Sequence, residues 1–223
     1  MRILALDAAT EACSAALLLG TSLAERFEVI GRGHADRLLP MADELLRAAR
    51  LAPHDLDAIA FGRGPGGFTG IRIAAALAQG LAAGSGRLVL PVSSLSALAA
   101  GAARDAGAQR VLACLDARMG EVYWAACDCA ADSPVALSGE HLTDPAGVEP
   151  PPGAAWHGTG HGFAAYPAIA ARLGSRLAGI DDTRLPRAAD VARIAAADLA
   201  AGKGLPAARG LPVYLRNDVV HRR

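Results

Sequence analysis

Aromatic residues make up only 4 % of this 223-residue chain, so its core cannot be built around large rings. Burial has to come from leucine, isoleucine, valine and alanine. An excess of one charge is also missing: Lys+Arg and Asp+Glu both number 22. A protein that grips nucleic acid unaided carries a basic excess or stripe. The one basic cluster, His221-Arg222-Arg223 at the chain's end, reads as a solvated tail. No apolar run reaches about 18 residues without a charge, so a membrane span is not expected. Asp7 arrives too early for a secretory leader, which predicts a cytoplasmic protein. Cys13, Cys114, Cys127 and Cys129 are then expected to be reduced thiols. Cys127 and Cys129 lack the two-residue gap and the second pair of a zinc knuckle.

What is present is a large apolar fraction, 52 % of residues against 20 % charged, which predicts a folded rather than a disordered chain. Short apolar runs predict strands at Arg2 to Asp7, Cys13 to Leu19 and Leu23 to Ile30, with a hairpin turn at Gly20 to Ser22. Leu38, Met41, Ala42, Leu45, Leu46 and Ala49 recur at helical spacing, so a helix is expected over Arg37 to Arg50. Pro40 requires that this helix start near Arg37 or bend there. After a strand at Asp57 to Gly62, Thr69 is placed to cap a helix running to about Ala83 and stopped by Gly84. Its stripe is Ile71, Ala74, Ala75, Ala78 and Leu81. A strand at Arg87 to Leu90 follows, then an alanine-rich helix capped by Ser93 or Ser94 and ending near Gly107.

At Arg110 the pattern restarts. Val111-Leu112-Ala113-Cys114-Leu115-Asp116 echoes Ile3-Leu4-Ala5-Leu6-Asp7, about half the chain earlier. Each is an apolar strand ending in Asp, followed by a polar turn and a second strand, here Glu121 to Cys127. Strands at Val135 to Thr143 and Ala154 to His157 and helices at Gly162 to Leu173 and Arg187 to Ala201 complete the second half. Such a duplication is the outline of the actin-like ATPase, or ribonuclease H-like, architecture: two α/β lobes around a cleft. The lobes are expected at 1–107 and 108–223, with the last segment free to pack back on the first lobe.

Four stretches carry a resemblance to a known family. They are Leu4 to Ser14, His34 with Leu38-Leu39-Pro40, Gly62 to Ile73, and Asp116 to Trp124; Pro212 to Arg216 adds a fifth. In this order they resemble the TsaB family, bacterial paralogues of the threonylcarbamoyl-transferase TsaD. Ala8-Ala9 stands where that family usually has Thr-Ser, and Gly67 where it often has Ser. The resemblance implies a scaffold subunit that pairs with TsaD, is joined by the ATPase TsaE, and meets tRNA only through the complex. That complex modifies the adenosine beside the anticodon of tRNAs reading codons that start with A. It also implies a homodimer when the chain is alone.

The residues agree with an absence of chemistry. A phosphate loop needs bare backbone, because a Cβ collides with the phosphate. Asp7 is followed by Ala8-Ala9-Thr10, and Asp116 by Ala117-Arg118-Met119 before Gly120. Asp7, Thr10, Asp116 and Arg118 therefore mark a degenerate cleft, each Asp closing its own turn on nearby amides. Where the transferase paralogue carries two metal-binding imidazoles, Ser94 and Leu98 stand, and leucine cannot ligate metal. His157 and His161 have metal-pair spacing, but the glycines between them favour a turn. Gly64 to Thr69 lacks the Gly-Lys-Ser/Thr ending of a phosphate loop. No cofactor, no resident metal and no catalytic residue are expected. The working surface is expected on two helices, at Leu38, Leu39, Met41, Leu45, Leu46, Phe68, Thr69, Ile71, Arg72, Ala74, Ala75 and Ala78. The competing reading packs these residues in the chain's own core. Rival functions are an ATPase or kinase-like phosphotransferase of the same architecture and, further off, a metallopeptidase.

Overall fold

The computed structural model describes residues 1–131, 133–153 and 155–216; the basic tail at 221–223 lies outside them. The first sheet holds β1 (Arg2–Asp7), β2 (Ala12–Leu19), β3 (Ser22–Val29), β4 (Ala58–Gly62) and β5 (Leu88–Val92), in the order β3-β2-β1-β4-β5. The first three form an antiparallel meander; β4 and β5 run parallel to β1. Alternation along β1 divides its side chains between two cores. Leu4 and Leu6 face α1 (His34–Ala49) and α2 (Phe68–Ser85). Ile3 and Ala5 face α6 (Ala188–Ala200).

The second sheet repeats this plan. It runs β11-β10-β6-β7-β8, from β6 (Arg110–Arg118), β7 (Glu121–Asp128), β8 (Val135–Ala136), β10 (Trp156–Thr159) and β11 (Leu177–Asp181), with β9 (His141–Thr143) also on β7. β6 and β7 are antiparallel, and β10 and β11 run parallel to β6. One face of β6 meets α3 (Ser94–Ala106) through Leu95, Leu98 and Ala102. The other meets Phe163 of α4 (Gly162–Ala165) and Ile169 and Leu173 of α5 (Ala168–Leu173). The layers therefore read α1/α2, first sheet, α3/α6, second sheet, α4/α5. Among the described residues no helix is long and apolar enough to cross a membrane.

Several boundaries differ from expectation, each for a local reason. α1 begins at His34 and runs through Pro40, which is exposed, so the amide it lacks costs one bond and no packing. Gly67, not Thr69, is the residue before α2, and Gly86 with φ 68° ends it; Gly84 lies inside the helix. The strand expected over Val135 to Thr143 is interrupted where Gly139 takes φ 85°, leaving β8 and β9. The strand expected from Ala154 is displaced to Trp156–Thr159. The helix expected over Gly162 to Leu173 splits at Tyr166, the residue before Pro167, where helical geometry is disfavoured. β11 has no strong sequence signal, being a half-exposed edge strand that contains Ala178 and Gly179.

Candidate functional site

The two lobes enclose a cleft of about 720 Å³ at the ends of β1 and β6. Thr10, Asp116 and Arg118 line it; Asp7 does not, and is fully buried beneath it. Asp7 Oδ1 accepts the Ala9 N–H at 3.1 Å, while Oδ2 has no partner. Burial pushes the Asp7 carboxyl up to about 7, against the smaller opposing effect of the Ala9 amide. Beside it the buried Ser94 hydroxyl is also without a partner. A Cβ added at Gly62 would lie 1.9 Å from Asp7 Oδ2 and 3.4 Å from Ser94 Oγ, so glycine there makes room for the carboxyl. Ser93, not Ser94, caps α3, accepting the Ser96 N–H at 3.1 Å.

Asp116 is fully engaged. Its Oδ1 accepts the Arg118 N–H at 2.8 Å and the Tyr166 hydroxyl at 3.2 Å, and Oδ2 pairs with the Arg118 guanidinium at 3.0 Å. Arg118, Met119 and Gly120 all have positive φ, which turns the chain tightly from β6 into β7. His161 Nδ1 accepts the Asp116 N–H at 3.2 Å, leaving its Nε2 3.6 Å from Glu11 Oε2 of the other lobe. Desolvation lowers the His161 pKa from its ordinary value, against the opposing pull of Glu11 and Asp116.

The glycine-rich run before α2 serves packing. Gly67 N–H donates to Ala9 O at 2.7 Å. A Cβ at Gly66 would sit 2.3 Å from Ala9 O, and one at Gly70 1.8 Å from Ala8 O. The first turn of α2 thus rests directly on the Ala8-Ala9 turn. Ala9's amide is engaged by Asp7 and its carbonyl by Gly67, so this turn offers a phosphate no free N–H at that residue. Among the described residues no three His, Cys, Asp or Glu side chains are grouped to hold a metal ion. His157 lies within β10, whereas His161 stands past its end at the cleft.

The helix residues divide sharply. Leu38, Met41, Leu45, Leu46, Ile71, Ala74, Ala75 and Ala78 are buried within the chain itself, so the isolated chain presents almost none of their surface. Leu39, Phe68, Thr69 and Arg72 are exposed. The alanine stripe that would admit a foreign helix lets α2 pack on β4 and β1, while the leucines and Met41 of α1 pack chiefly on β2. The outward face of α2 also exposes Ala76, Gly80, Ala83 and Gly84. Arg72 is the only charged residue in the 18-residue helix. It is stacked 3.4 Å from the Phe68 ring centroid, and its Nε donates to Tyr214 Oη at 2.7 Å. Glu11, Tyr166, Tyr214 and Arg216 were not singled out by sequence reasoning, and His161 was weighed there only as half of a metal pair. Glu11, Tyr214 and Arg216 fall within the resembling stretches, but what each touches is decided by long-range contacts.

Two lobes of one strand order around a cleft define an actin-like, ribonuclease H-like protein. A family model described as TsaD, tRNA N6-adenosine threonylcarbamoyltransferase, matches residues 27–206. The chain is 41 % identical to the Escherichia coli tRNA threonylcarbamoyladenosine biosynthesis protein TsaB, over all of this chain and 98 % of that one. It is 48 % identical to Haemophilus influenzae TsaB over 56 % of this chain and 52 % of that one. A Pseudomonas aeruginosa structure described as similar to the peptidase YeaZ superposes with TM-score 0.90 at 44 % identity, covering 96 % of this chain and 99 % of that chain. The chain belongs to the TsaB family.

Proposed function

We propose that this chain is a non-catalytic scaffold subunit in tRNA threonylcarbamoyladenosine biosynthesis. It pairs with the TsaD transferase through the outward faces of α1 and α2, and TsaE and tRNA join through the complex. The observation that carries this reading is the outer face of α2. A surface helix normally turns charges to water, yet the exposed positions here are Phe68, Thr69, Ala76, Gly80, Ala83 and Gly84 around the single Arg72. A Cβ at Gly80 would meet nothing within 4 Å, so the isolated chain has no packing need for glycine there. A closely approaching partner helix supplies one. The same face makes a homodimer when the partner is absent. The chain takes no cofactor of its own. The family names of its relatives support the pathway, and the engaged Ala9 backbone supports an idle cleft.

The test is reconstitution of tRNA modification from purified TsaD and TsaE with and without this chain. Modification is expected only when it is present; equal rates without it would end the proposal. The interface is tested by substitution on the exposed side. Ala76→Glu should fold normally and lose co-purification with TsaD. Ala78→Glu, at a position with no exposure, should instead fail to fold because it buries a charge.

A further inference from the structure

The chain crosses between lobes twice, after α3 and again between β11 and α6. Past α6 it returns to the first sheet, where Val89 and Leu205 exchange backbone hydrogen bonds. It then runs along the mouth of the cleft. Val213 N–H donates to Arg63 O at 2.8 Å, and Tyr214 Oη accepts from Arg72 at 2.7 Å; both anchors lie on the first lobe. Two residues later Arg216 reaches the other lobe. Its Nη2 donates to Ala117 O at 3.2 Å, to Arg118 O at 3.3 Å and to Glu121, and its Nη1 lies 2.9 Å from Met119 Sδ. The Arg216 side chain keeps only 17 % of its exposure. Val213 to Arg216 line the cleft.

We propose that Leu211 to Arg216 is a clasp: a third, non-covalent link between the lobes that sets how far the cleft opens. The chemistry of its far end supports this. Nη2 of the guanidinium reaches two carbonyls and a carboxylate while Nη1 lies against Met119, so the planar fork holds the turn through two nitrogens where an ammonium has one. What it grips is the tight turn from β6 into β7, where Arg118, Met119 and Gly120 are all at positive φ. The near end is continuous with a second tie: Arg63, whose carbonyl holds Val213, makes a two-pronged pair with Glu140 of the second lobe at 3.1 Å for both bonds. Every one of these contacts lies within this chain.

The test uses the full chain with spin labels at Ala35→Cys and Ala165→Cys, both exposed and one on each lobe. Cys129→Ser removes the one thiol that is not buried. Labelled chain is diluted into an excess of unlabelled chain, so that only intramolecular distances are read. The unaltered strap should give one narrow distance. Arg216→Ala should lengthen and broaden it, with Arg216→Lys in between. A distribution for folded Arg216→Ala that superimposes on the parent overturns the proposal. If Arg216→Ala does not fold, Arg216→Lys and Tyr214→Phe decide in the same way, since each keeps most of the volume of the original.

Discussion

Of the two oxygens of the Asp7 carboxyl, one accepts an amide and the other meets nothing. Its pKa of about 7 lies above the ordinary 3.8 because burial disfavours the charged form. Between those values the folded chain holds a proton that the unfolded chain has released. Stability is therefore fully present at acid pH, falls as pH rises towards 7, and levels off beyond it. At about 1.4 kcal/mol per unit, the loss is about 4 kcal/mol. Asp7→Asn removes that loss but brings a second amide hydrogen that needs a partner, at about 1–3 kcal/mol. Urea unfolding should find the variant about 2 kcal/mol more stable than the parent at pH 8 and no better at pH 5. An identical difference at both pH values would show that Asp7 is not the titrating group. The sequence makes Asp7 visible as the end of a strand that closes its own turn. Its depth is not visible, because Ser94 and Gly62 come to it from two other elements.

At the scale of elements, α2 shows what periodicity can and cannot deliver. The stripe of Ile71, Ala74, Ala75 and Ala78 was legible, and it faces the chain's own core. Periodicity identifies the inward side; small residues recur on both sides here, so it could not say which side works. The helix end was legible to within two residues, because Gly84 and Gly86 are equivalent in sequence and only the second takes φ 68°. Gly80 allows a sign to be predicted. Glycine in an exposed helix interior is about 1 kcal/mol less favourable than alanine, and a Cβ there meets open space. Gly80→Ala should therefore raise the unfolding free energy of the isolated chain by about 1 kcal/mol. On the proposed interface it should weaken association with TsaD. A variant that is both more stable and equally well bound would remove Gly80 from the contact.

At the scale of the whole molecule, the duplication was legible because two strands end in Asp at equivalent points of two similar runs. The links between the halves were not, since they join residues far apart in sequence. On the side of α3 and α6, Asp190 is nearly inaccessible and is held by Arg104 and by Arg193 at 3.0 Å. Arg184 ties Asp105, at the end of α3, to Asp181 of β11. Gly101 of α3 lies under this network: a Cβ there would sit 2.5 Å from Asp190 Oδ2 and 2.9 Å from Arg184 Nη1. Propensity alone would make Gly101→Ala a gain of about 1 kcal/mol. The methyl, however, forces a buried carboxylate off its partners, and breaking such a pair costs about 3–5 kcal/mol. Sterics should win, leaving Gly101→Ala less stable by about 2 kcal/mol or more. One substitution, made in two helices of the same chain, thus has opposite predicted signs at Gly80 and Gly101. Thermal unfolding of both variants beside the parent reads the comparison directly, and shifts in the same direction would refute this account of the ionic tie between the lobes.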